Sequence, residues 1–207
     1  MSDTKQRIIE AAADLFHDQG VAPVRLQQIA DRAEVSVGNL AYHFKNKEAI
    51  ILAVYDQLSY QVKDILQQFR QLPTLLDLDR QLSQWYAFNE AYNFFFSAYL
   101  PDSVPEAAQL RARLLSRLTS QLTKRIEYHG QRGVMHPPGE ARPYAAVAET
   151  TSLIISSWSF YQGVKGQSET ELTEFKALVW AQFFPHFTPR GQAEYQALIR
   201  PMLTRPK

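Results

Sequence analysis

Apolar residues recur at helical spacing along almost the whole chain. Ile8, Ile9, Ala12, Leu15 and Phe16 follow the i, i+3/i+4, i+7 rule, with Asp14 and Asp18 off the stripe, and predict a first amphipathic helix. Thr4 is its candidate N-cap, and Gly20 stands where such a helix ends in the left-handed region. No alternating run of apolar and polar positions bounded by turn signals predicts a strand. The expected fold class is all-α.

Up to residue 50 the helical segments are short, broken by Gly20, Pro23, a turn near Glu34 and Asn46. Beyond it they lengthen, punctuated by Pro73, Pro101 to Pro105, the run His136-Pro137-Pro138-Gly139, and Gly163 to Gly166. Ser103-x-x-Glu106 and Ser168-x-x-Glu171 have capping-box spacing and mark further helix starts. This divides the chain into an N-terminal three-helix head over 1–47 and a helical body over 48–207, with a connecting helix from Asn46 to about Arg70.

Within the head, Leu26, Ile29, Ala30 and Ala33 form one apolar stripe of roughly two turns. Glu34 and Val35 make a tight turn. Ser36 caps a second short helix whose inner face is Leu40 and Phe44. Two short helices meeting across such a turn, with a small residue at the crossing, form the helix-turn-helix pattern. With Leu40 and Phe44 inward, Val37, Asn39, Ala41, Tyr42 and His43 face outward. Small apolar groups suit thymine methyls, and Asn, Tyr and His reach base edges or phosphates in a major groove. Tyr42 has a second reading, simple packing on the neighbouring helix.

Charge sharpens this picture locally only. The chain holds 22 basic and 21 acidic side chains, a formal charge of +1, so no global field points to nucleic acid or membrane. Residues 1–50 carry six Lys/Arg against seven Asp/Glu, and only the tip, with Lys45 and Lys47, is basic. Asn46 reads as the N-cap of the connecting helix. A lysine in the first turn opposes the helix dipole, unless a phosphate sits there to reverse the sign.

Arg7-Ile8-Ile9-x-Ala11-Ala12-x-x-Leu15-Phe16-x-x-x-Gly20, Ile29-Ala30-x-x-Ala33-x-Val35-Ser36-x-Gly38-Asn39-Leu40 and Tyr42-His43-Phe44-Lys45-Asn46-Lys47-Glu48 form one ordered set. Over roughly Thr4 to Leu58 the chain thereby resembles the TetR family of bacterial transcriptional regulators. It departs from the family pattern at Val24-Arg25, where Ser or Thr is usual, at Glu34, where Gly is frequent, and at Ala41, where an aromatic is common. The resemblance implies a recognition helix over Ser36 to Phe44 and a phosphate contact at Lys47. The candidate DNA-facing set is Arg25, Gln27, Gln28, Ser36, Val37, Asn39, Tyr42, His43, Lys45 and Lys47.

In the body, residues 85–100 (WYAFNEAYNFFFSAYL) are half aromatic, against 12% for the chain. Trp85, Phe88, Tyr92, Phe95 or Phe96, and Tyr99 fall on one helical face. Such a segment is either a bulky core or the wall of an apolar pocket. Trp158 and Glu149 join the candidate effector set. Glu149 either meets a cationic or hydroxylated ligand or pairs with a basic residue of the Pro105 to Tyr128 helix, most of whose basic run reads as a solvated face. Tyr144 to Gly163 holds one charge, Glu149, among twenty residues, which implies cover on nearly all sides. The resemblance implies a body that binds a small lipophilic or aromatic effector, and a homodimer that places two recognition helices ~34–36 Å apart on double-stranded DNA with a palindromic operator.

Other classes are less well served. The chain has no cysteine, which excludes a disulfide framework, a Cys-ligated zinc and a Cys nucleophile. Its five histidines show no metal-ligand spacing, and no glycine-rich phosphate loop or nucleophile elbow occurs, so no catalytic site, metal or cofactor is expected. The start, with Asp3 and Glu10, lacks signal-peptide order, and no run approaches the ~20 apolar residues of a membrane span. The expectation is a cytoplasmic regulator, a repressor released by its effector, with a constitutive DNA-binding dimer, and after it an all-helical enzyme, as the alternatives.

Overall fold

The computed structural model describes residues 3–67, 74–97, 100–139, 144–166 and 171–203. Eleven α-helices occur among them: α1 Asp3–Gln19, α2 Leu26–Arg32, α3 Val37–His43, α4 Lys47–Gln67, α5 Leu75–Ala91, α6 Phe94–Ser97, α7 Pro105–Gln131, α8 Tyr144–Val164, α9 Leu172–Phe183, α10 Pro189–Leu198 and α11 Arg200–Leu203. No strand is present among the described residues beyond an isolated bridge between Met135 and Phe187, so the fold is all-α. None of these helices is long and apolar enough to cross a membrane.

The chain forms two compact units. The first joins Met1–Lys63 to Ala91–Leu114, and the second joins Asp64–Glu90 to Leu115–Lys207. The head, α1 to α3, therefore packs as one body with most of α4, with α6 and with the start of α7.

In the first unit, the predicted stripe of α1 is the core: Ile8, Ile9, Ala12, Leu15 and Phe16 are buried. Gly20 ends the helix at φ +80, where a side chain would be strained. Ile29, Ala30 and Ala33 of the second segment, and Leu40 and Phe44 of the third, close over that stripe. α4 adds Ile50, Ile51, Val54, Tyr55, Leu58 and Val62. α6 is bolted on by aromatic contacts: Phe94 meets Phe16 edge-on at 5.6 Å, and Phe95 stacks on Tyr55 at 5.0 Å. The Tyr55 hydroxyl donates to the Phe94 carbonyl at 3.2 Å. Burial pushes that phenol well above its usual range, although Arg111 nearby pulls the other way.

The second unit is built on α5, α7, α8 and α9. Several of its interior polar groups are bonded to one another or to the backbone. Asp79 of α5 accepts from Lys176 Nζ at 2.6 Å and from Trp180 Nε1 at 3.1 Å, both on α9. Asn89 Nδ2 donates to the Ile155 carbonyl at 2.7 Å, and Thr119 Oγ1 donates to Ser152 Oγ at 2.8 Å. α10 closes the unit from its N-cap, Thr188, whose side chain accepts from Gly191 N. A Cβ on Gly191 would collide with the Val134 carbonyl, so only glycine permits this approach.

Several expected helix starts shift. α1 begins at Asp3, which puts Thr4 inside the helix rather than at its cap. Pro105 opens α7 as its first helical residue, where its fixed φ and missing N–H cost nothing, so Ser103 does not cap it. Ser103 Oγ instead donates to Glu48 at 3.4 Å. The connecting helix runs to Gln67 within the described residues. Arg70, Tyr99 and the Ser168 capping box lie outside them.

Candidate nucleic-acid interface and effector site

The turn between α2 and α3 is set by backbone hydrogen bonds. Glu34 N donates to the Asp31 carbonyl at 3.2 Å and Val35 N to the Ala30 carbonyl at 3.0 Å, the pattern of a Schellman motif. Its left-handed position is Glu34, at φ 55, where glycine is the unstrained choice. Ser36 then caps α3 as expected, its Oγ accepting from Asn39 N at 3.1 Å.

With Leu40 fully buried and Phe44 5% exposed, α3 turns its other face outward. Val37, Gly38, Asn39, Ala41 and Tyr42 are exposed, and His43 is half-buried. Tyr42 is 85% exposed, which excludes packing on a neighbouring helix as its role. Its ring rests edge-on against His43 at 5.2 Å.

The residues flanking α3 do more than the sequence foretold. Arg25 and Lys45 are exposed as expected. Gln28 is a structural cap: its Oε1 accepts from Arg25 N at 2.8 Å, and its Nε2 donates to Gln19 at 3.2 Å. Arg25-x-x-Gln28 has capping-box spacing, the signal by which this role was legible. Gln27 is exposed and donates to Asp31 at 2.7 Å. At the start of α4, Asn46 Oδ1 accepts from Ala49 N at 3.0 Å, the expected cap. Lys47 Nζ donates to the Ala22 carbonyl at 2.9 Å. Burial lowers its pKa from the ordinary lysine value, opposed by Glu48. One N–H of the ammonium is thus engaged, and a lysine carries three.

The aromatic segment of residues 85–100 is not one helical face. α5 ends at Ala91 and α6 begins at Phe94. Between them Phe95 N closes a turn on the Tyr92 carbonyl at 2.9 Å, and Asn93 Nδ2 donates to the His17 carbonyl at 3.3 Å. Trp85, Phe88 and Trp158 lie in the second unit, all buried. Tyr92, Phe95 and Phe96 lie in the first, where Phe95 is buried and Tyr92 accepts from Gln61 at 3.3 Å. Trp158 meets Phe175 at 5.3 Å, and Phe175 meets Tyr86 at 5.8 Å, a trio the sequence did not single out. Glu149 is exposed on α8, not buried beside a basic partner. Of the basic run on α7, Arg113, Arg117 and Lys124 are exposed, whereas Arg125 is buried.

The outer face of α8 is also not covered within the protomer. Leu153 is 63% exposed, Phe160 62% and Val164 72%, with Leu178 of α9 at 40%. The scarcity of charge in this helix thus serves an outward apolar face as well as an inward one.

A family model described as bacterial regulatory proteins, tetR family, matches residues 8–54, which span α1 through the first part of α4. The HTH-type transcriptional regulator RutR of Escherichia coli (strain K12) is 45% identical over 58 residues, 28% of this chain and 27% of that protein. The A-factor receptor protein of Streptomyces griseus is 35% identical over 80 residues, 39% of this chain and 29% of that one. The chain therefore spans little more than a quarter of the length of the curated relatives it matches. Similarity to a solved TetR-family transcriptional regulator from Marinobacter aquaeolei VT8 extends over 100% of both chains, with a TM-score of 0.84 at 26% identity. Residues 8–54 thus match the tetR family of bacterial regulatory proteins, and over its full length the chain shares the fold of a solved regulator of that family.

Proposed function

We propose that the chain is a DNA-binding transcriptional regulator. Residues 1–47 read duplex DNA, and residues 48–207 form the effector-binding and dimerisation part. The observation that carries this reading is α3: a short helix fixed by Leu40 and Phe44 that holds Tyr42, 85% exposed, at its outward face. A large aromatic left in water on a seven-residue helix is better suited to a partner's groove than to the fold. Val37, Asn39, Ala41 and Tyr42 supply small apolar and hydrogen-bonding groups for base edges, and Lys45, Lys47 and Arg25 supply cations for phosphates.

The outward apolar residues of α8 and α9 support a homodimer, because an exposed apolar patch on a helix pair marks an association surface. Two recognition helices spaced ~34–36 Å apart would read a palindromic operator. We assign the protein the role of a repressor, released when a lipophilic or aromatic effector enters the second unit beside Trp85, Phe88 and Trp158. α4 belongs to both units and carries Lys47 at its start, so a shift in α4 changes how the head meets DNA. Coupling of 1–3 kcal/mol suffices for such release.

The test is selection of bound DNA from a random pool with the full chain. Recovery of an inverted repeat is expected. Recovery of no common sequence, or of a single half-site, would overturn the dimeric reading of an operator.

A further inference from the structure

The buried stripe of α8 contains polar atoms without hydrogen-bond partners among the described residues. Thr151 Oγ1, Trp158 Nε1 and Gln162 Oε1 are buried and unbonded, on residues that are 0%, 2% and 1% exposed. Their spacing of seven and then four residues puts all three on one face of the helix. An unsatisfied buried polar group costs about 1–3 kcal/mol, so three on one stripe is a substantial penalty with no structural return.

The same helix shows that satisfaction was available. On either side of Thr151, Thr150 Oγ1 donates to the Ala146 carbonyl at 2.9 Å and Ser152 Oγ donates to the Ala148 carbonyl at 2.8 Å. Thr151 alone of these three does not turn back on its own helix. On α9 the indole N–H of Trp180 reaches Asp79, while that of Trp158 reaches nothing. The amide of Gln162 touches Glu174 through Nε2 at 3.5 Å, which leaves its oxygen over.

We infer that this stripe is the polar contact line of the effector site, and that the effector is a neutral, mainly aromatic molecule carrying a carbonyl or hydroxyl oxygen. The inference rests on the effector reading above and deepens it. The oxygen answers the Trp158 indole N–H and the Thr151 hydroxyl, and a ligand hydroxyl also answers the Gln162 oxygen. The aromatic body follows from Phe175, whose ring meets Trp158, and from half-buried Tyr86, which meets Phe175 in turn. Neutrality follows from the ions of this unit: Glu174, which touches Gln162, pairs with Lys165 at 3.4 Å, and Asp79 and Lys176 satisfy each other at 2.6 Å, so neither pair offers surplus charge to an ionic ligand.

The experiment compares two probes of nearly equal shape, 2-acetylnaphthalene and 2-isopropenylnaphthalene, by calorimetric titration of the full chain and of Thr151→Val and Trp158→Phe. In the wild type the ketone is expected to bind about 5–10-fold more tightly than the hydrocarbon, one net buried hydrogen bond. In each variant that preference falls to about 1, and Thr151→Val without ligand melts no lower than wild type, since it removes a group that had no partner. Where Trp158→Phe fails to fold, Thr151→Val carries the test. Equal binding of the two probes to wild type, binding of neither, or a preference that survives in Thr151→Val with a lowered melting temperature (the signature of a hydroxyl held by buried water) would each overturn the inference. Binding to the selected DNA is measured on the same proteins. A wild type that shows no ketone preference but binds DNA refutes only this inference, whereas wild-type protein that binds no DNA refutes the regulatory reading.

Discussion

The ion pair between α5 and α9 makes the sharpest quantitative prediction about the second unit. Asp79 is 2% exposed and Lys176 8%, and their 2.6 Å contact leaves neither charge facing water. Lys176→Met keeps the length of the side chain but strands a carboxylate whose other oxygen holds only the Trp180 indole N–H. Breaking a buried pair from one side costs about 3–5 kcal/mol, because the surviving charge has lost its compensation. For a chain of this length about 1 kcal/mol moves the melting temperature by roughly 2–4 °C, so a fall of about 6–20 °C is expected. Asp79→Leu combined with Lys176→Met removes both charges and strands only the neutral Trp180 N–H, at about 1–3 kcal/mol. The double variant should therefore be more stable than Lys176→Met alone. Thermal melts followed by circular dichroism, with urea titrations for the free energies, read both quantities. A single variant that loses less than about 1 kcal/mol, or a double variant whose loss equals the sum of the two singles, would refute the reasoning, since either result means that the charges are not coupled in a dry interior.

Four further outcomes are expected. Glu34→Gly relieves the left-handed backbone at the turn and should stabilise the head by about 1 kcal/mol, read by urea unfolding; a loss of stability would mean that the Glu34 side chain contributes more than its backbone costs. Tyr42→Ala should leave the melting temperature unchanged and weaken binding to the selected DNA by about 1–3 kcal/mol, whereas Phe44→Ala should cost about 3–5 kcal/mol of folding, which melts and gel shifts on both variants will separate. Lys47→Ala should weaken binding to all DNA sequences alike and reduce the slope of log affinity against log salt by about one; a change in base preference at unaltered slope would place the ammonium elsewhere. His129 has its pKa pushed from 6.5 to about 4 by burial first and by Arg125 and Arg132 after it. Its neutral form therefore belongs to the fold: stability is fully present above about pH 6.5 and falls as acid protonates the unfolded chain first, at up to about 1.4 kcal/mol per pH unit toward pH 4. His129→Gln should flatten that window in pH-dependent melts, and an unchanged acid slope would contradict the assignment.

The helices of the head were legible because several local signals agree there. The stripe of α1, the cap at Ser36, the left-handed Gly20 and the cap at Asn46 each follow from residues within a turn or two of one another. What escaped was decided by distant groups or by competing signals. The aromatic run reads as one periodic face through Tyr92 and Asn93, and nothing local announces that the Asn93 amide will donate to a carbonyl on α1. Ser103 has good capping spacing, but Pro105 is a stronger start signal two residues later. Lys47 reads from its neighbours as an anion site, while its hydrogen bond to Ala22 spans 25 residues of sequence. Low charge in α8 suggested cover on all sides and a paired Glu149. In the protomer that composition instead serves an inner stripe, with Ile155 and Trp158, and an outer one, with Leu153, Phe160 and Val164.

The tether between Lys47 and Ala22 bears on the cost of meeting an anion. A free lysine side chain gives up as much as ~1.5–2 kcal/mol of rotamer freedom when it is immobilised. Here the four-carbon stem is already ordered by the Ala22 carbonyl, with two N–H directions of the ammonium still open. A phosphate arriving at the start of α4 would find a charge whose position is settled before contact. Preorganisation of this kind lets one cation hold a ligand more firmly than a mobile lysine of equal charge.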